Sequence, residues 1–251
     1  AGSATLVLQT VLPALMLAGA RSTLELVGGT HNPAAPPFEF LDRAFLPLLR
    51  RLGAAVSAHL ERPGFYPAGG GRFRVEVQPG ARWAPLELLE RGAIRGQRAR
   101  AIVSALPGGI AHRELHVLAE RLGWDSTCLH AEVLTDPHGP GNVILVEIES
   151  EHVTEVFAGF GQRGVRAEQL AEGVAREVLA YLGSGVPVGI HLADQLLLPC
   201  ALAGGGSLLS CEPSQHTRTQ AELLRVFLGS EVRLSALASG TCRIDVSGGH
   251  G

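Results

Sequence analysis

Apolar residues recur at three- and four-residue intervals in several segments of the chain, which is the spacing of one helix face. The clearest segment is 37–53, which ends at Gly53, a residue type that commonly terminates helices. Its apolar positions are Phe38, Leu41, Phe45, Leu48, Leu49 and Leu52. Residues 1–20 carry no charge, but Gln9 and Pro13 interrupt them and no basic segment precedes them. We therefore predict a buried helix there, and neither a membrane span nor a signal peptide.

Strand patterns alternate with these helices. Residues 22–29 have the pattern of a strand that ends in paired glycines, and residues 54–60 and 72–78 have that of two strands joined by the glycine-rich turn 64–71. The chain thus begins with the order helix, strand, helix, strand, strand. Residues 191–246 repeat that order, so we predict two copies of one α/β unit.

The pattern changes at about residue 92, between the two copies. Strand, helix and three strand segments follow, then a helix over 167–182 and a glycine-rich linker over 183–189. We predict three parts. They are the first part of a large domain at 1–91, an inserted small α/β domain at 92–189, and the last repeat of the large domain at 190–251.

Composition and charge limit the possible functions. The 251 residues are 46% hydrophobic and 18% charged, which indicates a folded protein and excludes intrinsic disorder. The net charge of −3 argues against nucleic-acid binding through an overall positive field, although a local basic channel is compatible with it. All basic residues are arginine. The absence of lysine excludes a P-loop lysine, a Schiff base and a lysyl-adenylate.

The four cysteines are Cys128, Cys200, Cys211 and Cys242, at irregular separations that match no zinc-finger spacing. We expect them to be reduced thiols of a cytoplasmic protein, because disulfides are rare in that compartment. We therefore expect no structural zinc site.

His216 is the strongest candidate for chemistry. It lies in PSQHT, between a predicted strand and a predicted helix that Thr217 or Thr219 could cap. The N–H groups of a helix N-terminus bind phosphate, and the positive end of the dipole favours the neutral, nucleophilic form of an imidazole. The alternative is an ordinary surface histidine in a loop.

Other candidates are weaker on pattern alone. His112 and His116 could bind metal from one helix face, but a solvated face is the better interpretation because no third ligand is evident. His31 and His191 could each line a pocket. Polar residues within the apolar run LADQLLLP are costly to bury without a partner, so Asp194 either caps its own helix or binds a ligand.

The chain resembles the RNA 3′-terminal phosphate cyclase family from Ala1 to about Val246, on the segments LVLQTVLPAL, GGTHNPAAPP, RPGFYPAGGG, HLADQLLLPCALAGGG and PSQHT. The resemblance implies an α/β (α+β) fold with a large domain of repeated β-α-β-α-β-β units and a smaller inserted thioredoxin-like domain. The family has one unit more than the two found above. We therefore expect the N-terminal unit to be missing from this chain.

Family enzymes convert an RNA 3′-phosphate into a 2′,3′-cyclic phosphate with ATP and a divalent metal, Mg²⁺ or Mn²⁺. The resemblance implies that His216 attacks the α-phosphate of ATP, that AMP passes to the RNA 3′-phosphate, and that the 2′-OH displaces it. It also assigns nucleotide-binding positions, which are Gln9, Pro33 or a neighbour, Phe157, His191, Asp194 and Gln195.

Two departures from the family pattern affect these expectations. Arg62 stands next to Pro63, where many relatives have a basic residue, so we expect Arg62 to take that role. The family's metal-binding glutamate and RNA-phosphate arginines belong to an N-terminal segment absent here, so the metal ligands are unknown.

Two alternative functions are open: a non-catalytic cyclase-like ribosome-assembly protein and an inactive nucleotide-binding fragment. His216 argues against the first, since that branch lacks the nucleophile.

Overall fold

A computed structural model describes residues 2–78, 82–237 and 240–248 of the chain. Within these ranges the chain forms three β-sheets with α-helices packed against them. The prediction of a mixed α/β fold is therefore confirmed.

The first unit contains two helical segments and a three-stranded antiparallel sheet in the order β1-β3-β2. Its second helix begins as a π-helix over Phe40–Phe45 and continues directly as an α-helix, within the segment predicted to be helical. The elements are α1 (Ala4–Leu17), β1 (Ser22–Gly28), α2 (Leu46–Leu52), β2 (Ala55–Arg62) and β3 (Gly71–Gln78).

Helix α1 is the uncharged segment at the start of the chain. Its buried residues include Leu8, Leu12 and Met16, which follow each other one turn apart and so face the core together. None of the described helices has both the length and the apolar content needed to cross a bilayer.

The middle of the chain forms a mixed sheet in the order β6-β5-β7-β8, in which only β5 and β6 run parallel. The predicted strand at 127–134 begins at Leu129, because a 3₁₀ turn capped by Asp125 occupies Ser126–Cys128. The elements are β5 (Ile94–Ser104), α3 (Gly109–Leu122), β6 (Leu129–Val133), β7 (Gly141–Ser150), β8 (Thr154–Phe160) and α4 (Ala167–Ser184).

The last unit repeats the strand arrangement of the first. Strand β11 lies between β9 and β10 and is antiparallel to both, as β3 lies between β1 and β2. A further strand, β4 (Leu86–Leu88), pairs in parallel with β9 and was not predicted, because three residues are too few for a pattern. The other elements are α5 (Ile190–Leu202), β9 (Gly205–Cys211), α6 (Gln215–Leu228), β10 (Val232–Ala236) and β11 (Thr241–Ser247).

Two large hydrophobic clusters and a smaller one, in which Phe65 packs against residues of the middle sheet, organise the packing. One large cluster contains buried side chains of both the first and the last units, such as Leu49 and Leu197. The other large cluster lies among the middle elements and includes Leu118 and Ile144. This packing supports, as a proposal, a large domain formed by the two ends of the chain and a small domain inserted between them.

Candidate active site between helices α5 and α6

The N-terminus of α6 is set by Ser214, whose Oγ accepts a hydrogen bond from the backbone N–H of Thr217 at 3.0 Å. The prediction that Thr217 or Thr219 caps this helix was therefore wrong, because the helix begins earlier, at Gln215. The earlier start places His216 inside the first turn.

Asp194 fastens this turn to α5. Its carboxylate is buried and accepts hydrogen bonds from the Ser214 hydroxyl, at 2.9 Å to Oδ1 and 3.0 Å to Oδ2. The buried Thr217 hydroxyl donates to the same carboxylate. Asp194 lies in the second turn of α5, whose N-cap residue is Gly189, so the idea that it caps its own helix was wrong. It joins two helices and fixes the direction of α6.

His216 is exposed on this fixed turn. Among the residues that the structure describes, none forms a hydrogen bond or an ion pair with its imidazole. The first backbone N–H groups of a helix have no partners within the helix, so they can bind an anion. A histidine at this position can attack a phosphate held by the same turn.

Two glutamines meet beside this turn. The Nε2 of Gln9, on α1, donates to Oε1 of Gln195, on α5, at 2.6 Å. A small cavity of about 120 Å³ lies beside this pair and is also lined by Gln220. Gln220 follows His216 by four residues on α6, so both lie on the same helix face. Sequence reasoning missed Gln220, although that spacing could have indicated it.

His191 lies in the first turn of α5, on the same helix face as Asp194 and Gln195. It precedes Asp194 by three residues and Gln195 by four, which places all three side chains on one side of the helix. His191 is exposed and lies near Glu177 of α4. Burial raises the pKa of Glu177, and the neighbouring His191 partly opposes that shift.

Phe157, on β8, packs against α4 near this region. Its ring packs against that of Tyr181 with the centroids 5.4 Å apart, and the Tyr181 hydroxyl donates to the Pro187 carbonyl at 3.0 Å. Tyr181 and Glu177 are one turn apart on α4. Helix α4 therefore connects Phe157 with His191, and Tyr181 is a site neighbour that sequence reasoning missed.

Glu155 attaches α5 to the middle sheet. Its carboxyl is buried on β8 and accepts the N–H of Gly189, the N-cap residue of α5, at 2.8 Å. Burial raises the pKa of Glu155 to about 8. The carboxyl is therefore mostly protonated at neutral pH, which avoids an unpaired buried charge.

Pro33 lies elsewhere. It is exposed in the turn that follows β1, at the edge of a cavity of about 1020 Å³ that also borders α3 and α4. Arg62 lies near the glycine-rich turn, where its Nε donates to the Gly70 carbonyl at 2.9 Å. Gly69 and Gly70 adopt φ of 70° and 73°, so this segment is a hairpin turn that requires glycine.

The remaining candidates do not form metal sites. His112 and His116 are exposed on α3, as the interpretation of a solvated face predicted. Within the described ranges, no three His, Cys, Asp or Glu side chains group in a way that could hold a metal ion. All four cysteines are free.

The chain is similar to known proteins over nearly its whole length. The family model described as RNA 3′-terminal phosphate cyclase matches residues 1–234. Relatives with that name occur in Pseudomonas aeruginosa (strain UCBPP-PA14), at 45% identity over 98% of this chain and 72% of the relative, and in Ectopseudomonas mendocina, at 49% over 92% and 68%. A third, from Ralstonia nicotianae, is 48% identical over 94% of this chain and 68% of its own length. The matched residues include the entire α5–α6 site.

Proposed function

Since the chain belongs to the RNA 3′-terminal phosphate cyclase family, as its motifs predicted, we propose that it uses ATP to convert an RNA 3′-phosphate into a 2′,3′-cyclic phosphate. The observation that carries the proposal is the exposed His216 in a helix turn that Asp194 and Ser214 fix. The free backbone N–H groups of that turn can hold the phosphate that the imidazole attacks.

His216 is the nucleophile of the proposed reaction. A ring nitrogen attacks the α-phosphorus of ATP, a P–N bond forms, and the P–O bond to pyrophosphate breaks. The RNA 3′-phosphate then attacks the same phosphorus, which releases His216 and leaves AMP on the RNA end. Finally the vicinal 2′-OH attacks the 3′-phosphorus, loses its proton, and displaces AMP.

The neighbouring side chains have supporting roles. Asp194 is a positioning residue, because it holds the turn that carries His216. The amides of Gln9 and Gln195 share one hydrogen bond and retain further N–H groups that can bind phosphate oxygens. We place the adenosine on the side of His191 and Phe157, and the role of Pro33 in nucleotide binding stays a prediction.

The metal stays outside this proposal. Mg²⁺ or Mn²⁺ is expected from the family, but the described residues provide no group of three ligands for it. We therefore derive no step through a metal. We also propose a cytoplasmic location, which the four free thiols support.

The test compares two RNA substrates that differ in one hydroxyl group. A ribose 3′-phosphate end should give cyclic phosphate, AMP and pyrophosphate, because an aligned intramolecular attack reaches an effective molarity of about 10⁵ M or more. A 2′-deoxy 3′-phosphate end should accept AMP and stop there. Equal turnover of both substrates, or cyclisation without ATP, would contradict the proposed function.

Histidine variants provide the matched control. His216→Ala should abolish AMP transfer to both substrates, because both draw AMP from the same intermediate. His112→Ala removes an exposed imidazole from α3 and should leave the reaction unchanged. If the two variants behaved alike, His216 would not be the nucleophile.

A further inference from the structure

A cavity of about 1020 Å³ lies away from the α5–α6 site. It is bounded by the turn after β1, the turn at 65–67, and the N-terminal ends of α3 and α4. Its lining includes the accessible aromatic rings of Tyr66 and Phe160, whereas the Phe65 ring is buried and stacks on His31 with the ring centroids 5.2 Å apart. Its volume is large enough for a nucleotide-sized group.

A buried acid faces this cavity. Glu114 of α3 is fully buried, and its Oε2 accepts a hydrogen bond from Nδ2 of Asn142 at 3.0 Å. Its other oxygen, Oε1, is buried without a hydrogen-bond partner. Burial raises the pKa of Glu114 to about 7. An unsatisfied buried acceptor is costly, and a rotation of the Glu114 side chain towards the cavity would let an N–H group of a ligand satisfy it.

Three arginines surround the entrance. Arg113, Arg163 and Arg166 line the cavity and are exposed. Arg113 also forms an ion pair with Glu168 at 3.2 Å. In a chain with a net charge of −3, this is a confined basic surface of the kind that phosphate groups bind.

Helix α4 separates this cavity from the site of His191. Ala167 and Leu170, at the start of α4, line the cavity, whereas Glu177 lies near His191. Ten residues of helix span about 15 Å, which is the axial separation between Ala167 and Glu177. The cavity is therefore distinct from the place proposed above for the adenosine, although Pro33, a predicted nucleotide-binding position, also lines it.

We propose that this cavity binds one unstacked base of the RNA substrate, upstream of its terminal 3′-phosphate. In this arrangement Glu114 accepts an N–H of the base edge, the rings of Tyr66 and Phe160 contact the face of the base, and the arginines bind the adjoining phosphates. The identity of the ligand as RNA rests on the proposed function.

The chemistry of the lining favours single-stranded RNA. Proteins bind single strands by stacking bases on aromatic side chains and by binding the backbone with cations. A glutamate that accepts from a base favours an exocyclic amine, such as N4 of cytosine. The cavity combines all three features at one place.

The first experiment measures binding of 3′-phosphorylated RNA oligomers by fluorescence anisotropy, without ATP. Arg113→Gln should weaken binding about fivefold at low salt and reduce the slope of log K against log salt by about 0.7. Arg121→Gln is the matched control, because Arg121 lies two turns further along α3 and pairs with Glu172 of α4 in the same way. The control should bind RNA as the unchanged protein does.

The second experiment tests recognition of the base. Oligomers with cytosine, uracil or no base at a single varied position are compared, moving that position upstream from the end. At pH 8, where the Glu114 carboxyl is mostly ionised, we expect cytosine at one position to bind about tenfold more tightly than uracil, which lacks an exocyclic amine. Glu114→Gln should remove that preference, because an amide can both donate and accept.

A second variant, at the entrance of the cavity, tests the proposal even if Glu114→Gln fails to fold. Val165 is 40% exposed and lines the cavity, so Val165→Trp can obstruct it without disturbing the core. This variant should lose RNA binding and keep its melting temperature. Unchanged binding by folded Val165→Trp, or equal affinities of Arg113→Gln and Arg121→Gln, would overturn the proposal.

AMP labelling distinguishes this proposal from the proposed function. All cavity variants should still form the AMP adduct of His216, because the cavity is distinct from that site. If the cavity variants weakened RNA binding as expected but the unchanged protein formed no cyclic phosphate, only the proposed function would be contradicted. Crosslinking of 8-azido-ATP to Tyr66 or Phe160, in place of RNA, would contradict only the cavity assignment.

Discussion

The first and last units have the same strand order, but their second helices differ in burial. In the first unit the segment from Phe40 to Leu52 buries most of its side chains in the core. In the last unit, α6 buries only Thr217 and Leu224 among its described residues. The same topology therefore provides a structural helix in one unit and an accessible helix, suited to chemistry, in the other.

A histidine follows the first strand in each unit, and the two histidines have opposite environments. The His31 side chain is fully buried, its Nδ1 is 2.9 Å from the Thr30 hydroxyl, and its Nε2 is 2.7 Å from Glu39. Both ring nitrogens are occupied. His216 is exposed on its helix turn. Burial and hydrogen bonding of the ring nitrogens, and not the position in the unit, therefore decide which histidine can react.

The largest expected effect separates the two histidines by stability. His31→Ala should lower the free energy of unfolding by about 3 kcal/mol, because it leaves the buried Glu39 carboxylate without one of its partners. His216→Ala should change it by less than about 0.5 kcal/mol, as surface substitutions usually do. Urea unfolding of both variants measures the difference. Similar losses in the two variants would contradict the comparison.

Asp194 should give the next largest effect. Asp194→Asn replaces one of the two acceptor oxygens that hold Ser214 and Thr217, so we expect a loss of about 1 to 2 kcal/mol in stability. Labelling by ATP should fall much further, because the His216 turn loses its fixed direction. Asp245→Asn is the control, since Asp245 accepts from the Ser207 hydroxyl at 2.6 Å within the same unit. Equal loss of labelling in both variants would remove the positioning role of Asp194.

Two buried acids, Glu39 in the first unit and Glu155 on β8, should make stability respond to pH in opposite directions. Burial alone would raise the pKa of Glu39, but His31 and Arg100 bring it down to about 2, so its stabilisation is lost as pH falls from about 4.5 towards 2. Burial raises the pKa of Glu155 to about 8, so the contribution of Glu155 to stability is greatest below pH 4.5 and decreases as pH rises towards 8.

Glu155→Gln tests the second response. Replacement of the carboxyl by an amide should flatten the decrease between pH 5.5 and 7 by about 1 kcal/mol per pH unit. Thermal unfolding across that range measures it. An unchanged slope would mean that Glu155 is already ionised in the folded protein.

The smallest effect on stability is expected at the pair of glutamines. Gln195→Glu preserves an acceptor for Nε2 of Gln9, so the free energy of unfolding should change by less than about 0.5 kcal/mol. The added negative charge should nevertheless weaken ATP labelling by repelling phosphate. Gln195→Ala, which adds no charge, should retain more labelling. The reverse order would place the phosphates away from this pair.

Much of the fold could be predicted because long periodic segments determine it. The segment 37–53 and the repeated order of elements in the two units were both apparent in the sequence. Short elements and side-chain contacts between distant segments were not. Strand β4 contains only three residues, and the true cap of α6 is a serine that also binds Asp194, 20 residues away.

The candidate site was partly predictable for a similar reason. His216 stands in a distinctive motif, and Asp194 interrupts an apolar run, so both attract attention in the sequence. Tyr181 and Glu114 lie on amphipathic helices, where an aromatic ring or a carboxylate has no distinctive pattern. Their roles depend on contacts with Phe157 and Asn142, which only the folded chain brings together.

The most direct test of His216 as the nucleophile is to map the AMP adduct by mass spectrometry after incubation with ATP. We predict AMP on the peptide that contains His216, through a P–N bond that survives base and hydroxylamine but hydrolyses in acid. The adduct should be absent from folded His216→Ala and present in folded His112→Ala. An adduct on any other residue, or one that persists in His216→Ala, would contradict the central claim.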